Sequence, residues 1–158
     1  MESGRIDRFD MRILQELGQD GRLTVTDLAR RVGLSKTPCQ IRLRRLQEEG
    51  YITGFRAMLD LAKLGREHVA FAEVRMLDTR EAALREFNAA ARAVPEIEEC
   101  HMIAGSFDYL LKVRTRDMKD YRHVLGEVIS ALPHVSSTSS YVSMEAVKDS
   151  VTPPVSTP

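Results

Sequence analysis

The 158-residue chain has no excess of charge, its 23 Lys and Arg balancing 23 Asp and Glu. Taken whole, it is not the uniformly basic protein that a nucleic acid attracts everywhere on its surface. It has only two cysteines, Cys39 and Cys100, far apart and each on an expected apolar face. That pattern predicts buried free thiols in a reducing cytosol rather than a disulfide. No apolar run approaches the roughly 18 residues of a membrane span. The N-terminus lacks a signal-peptide pattern, so a cytoplasmic location and no membrane partner are expected.

Catalytic signatures are missing too. There is no CxxC, no HExxH and no phosphate-binding glycine loop. His68, His101, His123 and His134 are the candidate bases, and none stands at a recognisable spacing from a Ser, Cys or carboxylate. Cys100 and His101 point opposite ways on an expected strand. A non-enzyme with no cofactor and no metal site is the expectation.

What is present is 43% hydrophobic and 29% charged residues, the balance of a soluble globular protein with a sizeable core. The zero net charge conceals an asymmetry. Residues 1–56 hold 11 Lys and Arg against 8 Asp and Glu, net +3, which leaves 12 against 15, net −3, for residues 57–158. A phosphate backbone responds to that local field.

The basic character concentrates in TVTDLARRVGLSKTPCQIRLRRLQEEGYI, residues 24–52. Val25, Leu28, Ala29 and Val32 recur at helical spacing, with Thr24 or Thr26 as N-cap and Gly33 as the stop. A second helix is expected with Thr37 as N-cap, Pro38 at the first helical position and Gln40 in capping-box register. Cys39, Leu43 and Leu46 share one side of it, while Thr37, Ile41, Arg44 and Arg45 lie roughly opposite. Between Arg30 and Gln47 stand six basic residues (Arg30, Arg31, Lys36, Arg42, Arg44 and Arg45) and no acidic one. A helix, a glycine turn and a helix with one apolar stripe and one basic face make a helix-turn-helix pattern. Arginines neutralise phosphates, and polar side chains in the first turn reach base edges in the major groove of double-stranded DNA. The candidate DNA-binding residues are Ser35, Lys36, Thr37, Gln40, Ile41, Arg44 and Arg45. Ile41 suits a thymine methyl, or packs under the loop after Ile52.

Upstream, Ile6–Leu17 reads as a first helix ending between Gly18 and Gly21. Downstream, the alternation Tyr51–Leu59 predicts a two-stranded wing turning at Gly54. The second half reads strand, helix, strand, strand, helix, strand. Val69–Leu77 is followed by a helix with an Asp78–Glu81 capping box, its face marked by Leu84, Phe87, Ala91 and Val94. Strands at 96–103 and 109–115 flank the turn Ala104–Asp108. An amphipathic helix through Tyr121, Val124, Leu125, Val128, Ile129 and Leu132 stops at Pro133. A last strand, Val135–Val147, is interrupted by Ser136–Ser140. The predicted fold class is therefore α+β, an N-terminal winged helix-turn-helix followed by a ferredoxin-like βαββαβ domain. The expected domains are residues 1–60 and 61–150, with a flexible tail at 151–158. A sheet face left bare by the helices predicts self-association.

Three stretches, IDRFDMRILQEL, GRLTVTDLARRVGLSKTPCQIRLRRLQEEGYITGF and EIEECHMIAGSFDYLLKVRTRDM, together with DYRHVLGEVISALPHV, resemble the Lrp/AsnC family of bacterial transcription regulators. The resemblance covers nearly the whole chain. It implies a sequence-specific regulator whose DNA binding or assembly responds to an amino acid, leucine or proline being the implied effectors. It implies a homodimer, formed through the sheet, that assembles further, often to an octamer in this family, with the effector in a cleft between dimers. The implied effector residues are Gly105, Ser106, Phe107, Asp108 and Tyr109, with Met118, Thr138, Ser140 and Tyr141 nearby. Asp108 is expected to accept hydrogen bonds from the ligand ammonium, and backbone amides near Gly105 to meet its carboxylate. Ser106 departs from the acidic residue of a leucine-responsive member, which leaves the effector side chain open. Without the resemblance, Gly105 and Asp108 are ordinary turn residues, and an architectural DNA-binding protein with no small ligand fits as well.

Overall fold

The computed structural model describes residues 6–149. These fall into two compact units, one running to Met58 and the other spanning Leu59–Val147. The expected tail at 151–158 lies outside the described residues.

The first unit is three helices: α1 (Arg8–Gln19), α2 (Val25–Val32) and α3 (Lys36–Glu48). Asp7 caps α1 by accepting the Phe9 and Asp10 amides at 2.8 and 3.0 Å, and the Asp10 carboxylate returns the bond to the Asp7 amide at 3.0 Å. This reciprocal box satisfies donors that the first turn leaves open. Gly18 belongs to α1 rather than ending it. Thr24 caps α2 through the Asp27 amide at 3.1 Å, and Gly33 ends it at φ 77, a left-handed conformation that costs a side chain strain. Ile13, Leu28, Ala29, Val32, Cys39 and Leu46 form the core, so the apolar stripes of all three helices meet as their spacing predicts.

Two local expectations are corrected. α3 starts at Lys36 with Ser35 as N-cap and no side-chain capping bond, so Thr37 lies in the first turn and Pro38 at its third position. Proline is tolerated there because the amides of the first turn have no helical acceptor in any case. The wing strands are not formed: among the described residues no strand lies between Tyr51 and Glu67. Instead Phe55 lies against Gly21, where a β-carbon would stand 3.2 Å from its ring. The segment packs onto the α1–α2 connection there and meets no second strand with which to form a ladder.

The second unit is a four-stranded antiparallel sheet in the order β2-β3-β1-β4. Its strands are β1 (His68–Met76), β2 (Ile97–Met102), β3 (Tyr109–Thr115) and β4 (Val135–Val142). Helices α4 (Glu81–Arg92) and α5 (Met118–His123) cover one face. That connectivity is the split βαβ arrangement expected from the sequence. Ala70, Ala72 and Val74 of β1 and Tyr109, Leu111 and Val113 of β3 point to the helices and pack on Phe87, Ala91, Tyr121, Val124 and Ile129. The strict alternation along β3 buries every second residue. No helix of the second unit covers the opposite face, where Phe71 pairs across to Lys112 on one side and Tyr141 on the other.

Here too the details differ from the pattern. The Asp78 carboxylate accepts the Arg80 amide at 2.9 Å and its guanidinium at 2.6 Å, so it forms a local turn instead of a capping box with Glu81. The last helix changes geometry midway. α5, capped by Asp117, passes into a π-helical continuation, Val124–Ile129, in which the Ser130 amide donates to the Leu125 carbonyl five residues back. The wider turn rotates the apolar stripe so that Val124 and Ile129 both enter the core. Ser136–Ser140 does not end the last strand: Ser137–Ser140 pair with β1 from Arg75 to Ala72, and only at Ser136 does the register slip by one residue before Val135 meets Met76.

Candidate nucleic-acid interface and ligand loop

Along α3, Lys36, Thr37, Gln40, Ile41 and Arg44 are exposed, preceded by exposed Ser35; Pro38, Gln47 and Glu48 are exposed as well. The spacing of the first five, one, three and four, places them on a single stripe of the helix. Cys39 and Leu46 lock the opposite side into the core. Ile41 is 64% exposed, so it does not pack under the following loop. Arg44 reaches outward and pairs with Glu48, one turn along, at 2.7 Å.

Arg45 is placed differently. Its Nη2 meets Asp10 Oδ2 at 2.5 Å, and its Nε is buried without a partner. Arg42 donates to the other oxygen of the same carboxylate at 2.9 Å and to Asp7 at 2.7 Å. Asp10 is wholly buried, so one carboxylate on α1 holds two guanidinium groups of α3. Burial opposes the charged form of Asp7, but hydrogen bonds from the Asp10 amide, Arg42 and the Phe9 amide outweigh it and hold its carboxyl below the usual range. Bonds to Asp10 and Asp7 push the Arg42 guanidinium still further from deprotonation. Arg30 and Arg31 pair with Asp27 and Glu16, both at 3.0 Å. The sequence count of six basic residues therefore overstates the free positive charge. No periodicity could have found the Asp10 clamp, though Asp10 on the apolar side of α1 was its signal.

In the second unit, the loop between β2 and β3 holds Gly105, Ser106, Phe107 and Asp108, with Gly105 and Ser106 exposed and Phe107 and Asp108 half-buried. Asp108 Oδ2 accepts the Met76 amide at 2.7 Å, and the Asp108 amide donates to Val74 at 2.9 Å. Asp108 thus stitches the loop to the end of β1. The other residues implied by resemblance do not converge on one face. Tyr109 is 1% exposed and its ring lies on Phe87 with centroids 4.4 Å apart, which makes it a core residue of this unit. Thr138 and Ser140 are on the helix-covered side of β4, where the Tyr121 hydroxyl donates to Ser140 at 2.6 Å, while Tyr141 is on the bare face. Met118, at the start of α5, is exposed.

Both cysteines are free and Cys39 is buried as expected, but Cys100 departs from expectation, being exposed on edge strand β2. His134 pairs with Glu86 at 2.8 Å, His101 with Glu99 at 3.2 Å, and His68 with the Thr115 hydroxyl at 3.0 Å. Among the described residues, no three His, Cys, Asp or Glu side chains group as a metal site, and no helix is long and apolar enough to cross a membrane.

A helical unit with one projecting polar helix and a βαββαβ unit with a built loop define the class to which comparison leads. Residues 6–53 match the family model for a winged helix-turn-helix DNA-binding domain, and residues 69–153 that for the Lrp/AsnC ligand binding domain. The chain is 63% identical over 144 residues to a proline dehydrogenase transcriptional activator of Rhizobium radiobacter, covering 91% of this chain and 92% of that one. It is 46% identical over 145 residues to the leucine-responsive regulatory protein of Salmonella typhimurium, covering 92% and 88%. A solved transcriptional regulator from Neisseria meningitidis in complex with L-Met superposes with a TM-score of 0.88 at 30% identity, covering 94% and 96%. The protein is a DNA-binding transcription regulator. It belongs to the Lrp/AsnC family.

Proposed function

We propose that the exposed stripe of α3 enters the DNA major groove and that an amino acid, bound at the Gly105–Asp108 loop, governs DNA binding or assembly. The observation that carries this reading is the division of α3. Lys36, Thr37, Gln40, Ile41 and Arg44 face outward beside Ser35, while Cys39 and Leu46 fix the helix from behind. Gln40 and Thr37 bring base-reading hydrogen bonds, Ile41 an apolar contact for a thymine methyl, and Lys36 and Arg44 phosphate contacts. Arg45 keeps its place in the interface set as the residue that positions α3 from Asp10, not as a free charge.

Asp108 offers its second carboxylate oxygen to a ligand ammonium. The names of the relatives put proline, leucine and methionine forward as effector candidates. The bare sheet face, with Phe71 and Tyr141 on it, is the surface through which a homodimer forms, and dimers assemble to a higher oligomer, an octamer by family likeness. The cytosol is the compartment in which such a regulator meets its DNA.

The test adds the twenty amino acids singly while recording affinity for operator DNA by fluorescence anisotropy and particle size by sedimentation. At least one is expected to move one of the two readings. If none does, the architectural reading stands, and it has an observation of its own: the Asp108–Met76 bond gives the loop a structural role without any ligand.

A further inference from the structure

Between α4 and the edge strand β2, the second unit holds a half-open cleft of about 460 Å³. Ala91, Ile97 and Met102 give it an apolar wall, and Asn88, Arg92, Cys100 and Tyr109 supply polar groups. Tyr109 is 1% exposed, yet its hydroxyl makes no well-formed hydrogen bond, although the Asn88 side chain is close. A ligand atom that completes a buried hydroxyl removes a deficit already present in the fold. Arg92, in the last turn of α4, is exposed and makes no ion pair among the described residues; burial pushes the Cys100 thiol up, and the nearby Arg92 only partly offsets this. Glu98 also borders the cleft, but its carboxylate is engaged by Arg114 and, at 3.7 Å, by Lys112.

The cleft thus presents a cation and a hydroxyl donor without a free carboxylate. We propose that it binds a small apolar carboxylic acid that lacks an α-ammonium group. The carboxylate meets Arg92 and Tyr109, and the aliphatic part lies on Ala91, Ile97 and Met102. A zwitterionic amino acid is rejected because its ammonium would stand near Arg92 with no carboxylate to receive it. None of Gly105, Ser106, Phe107 and Asp108 lines this cleft, so it is a second site beside the amino-acid loop.

Cys100 supplies the readout. Cys39 is fully buried, so a thiol reagent modifies the folded protein at Cys100. With isovalerate at about ten times its dissociation constant, iodoacetamide labelling of Cys100 in the full chain is expected to slow about tenfold, because only unoccupied protein reacts. Leucine at the same concentration is expected to leave the rate unchanged. Arg92→Gln, an exposed change, is expected to keep the thermal midpoint and lose the protection. Tyr109→Phe, which keeps the ring on Phe87, is expected to weaken protection, with calorimetric titration of isovalerate reporting the same order of affinities. Isovalerate that fails to slow labelling, leucine that slows it equally, or protection that survives in Arg92→Gln overturns the proposal. These outcomes do not depend on whether an amino acid binds at Asp108.

Discussion

Asp10 on α1 accepts the Arg45 guanidinium of α3 at 2.5 Å from a position wholly out of water. An ionised carboxylate is tolerated there only because Arg45, Arg42 and the Asp7 amide satisfy it together. The helix proposed to meet DNA is thereby fixed by charge as well as by Cys39 and Leu46.

Removing that carboxylate leaves the half-buried Arg45 guanidinium uncompensated and Arg42 with Asp7 alone. Asp10→Asn is expected to cost about 2–4 kcal/mol, somewhat below a fully buried pair because both arginines still reach water. Urea denaturation of the full chain, followed by circular dichroism, measures it. An unchanged midpoint would remove the clamp from the account of α3.

Arg44 and Arg45 are neighbours with opposite expected behaviour. Arg44→Ala should lower affinity on every DNA sequence and reduce the salt slope of binding by about 0.9, one phosphate contact, while changing stability by less than about 0.5 kcal/mol. Arg45→Ala should do the reverse, losing about 2–4 kcal/mol of stability with little change in slope. Anisotropy titrations across a salt series, paired with thermal melts, separate the two.

Asp108→Asn keeps an acceptor for the Met76 amide but removes the charge offered to a ligand ammonium. Folding and basal DNA binding are expected to persist and the amino-acid response to fall at least about tenfold in affinity, the scale of a lost charge-assisted bond. Calorimetric titration of the responsive amino acid checks it. Full affinity in this variant would place the amino acid elsewhere.

Acid should act through Asp7 and Asp78. Arg80 hydrogen bonds hold the Asp78 carboxyl at about 2, against an ordinary 3.8. Asp7 is likewise lowered, its hydrogen bonds to the Asp10 amide and Arg42 prevailing over burial. In both, the folded state favours the ionised form. The stabilisation is therefore complete above the unfolded value and is lost as pH falls from about 4 toward about 2. Urea midpoints measured across that range should fall more steeply for the native chain than for Asp7→Asn or Asp78→Asn.

Phe71 is at the middle of the bare sheet face, opposite Lys112 and Tyr141. Phe71→Arg introduces a desolvated like charge beside Lys112 and is expected to shift sedimentation toward monomer without loss of β-structure. Unchanged particle size would move the subunit contact to another surface.

Much of this architecture is legible in the residue pattern because it depends on local spacing. Leu28, Ala29 and Val32 mark α2, Gly33 its end, and Tyr109–Thr115 a strand of strict alternation. The residue pattern falls short where a distant partner decides. Arg42 and Arg45 read as free cations until Asp10 and Asp7 are brought beside them from more than thirty positions away. Tyr51–Leu59 alternates like a strand, yet Phe55 finds Gly21 before any second strand. Ser136–Ser140 reads as an interruption because serine has little strand preference, but backbone pairing to β1 needs no particular side chain. At the Gly105–Asp108 loop, Tyr109 looks available from its place beside Asp108, and only the pleat shows that it turns inward onto Phe87.

The serine-rich middle of β4 has one more consequence, since it forms an outer margin of the sheet. Unpaired backbone along such a margin is where foreign chains graft on, and sticky aliphatics there would invite fibres. Hydroxyls on one border, with Glu98, Glu99 and His101 on the other, discourage endless side-by-side growth. If copies pair through the flat face as proposed, these rims keep the pairing from running on sideways.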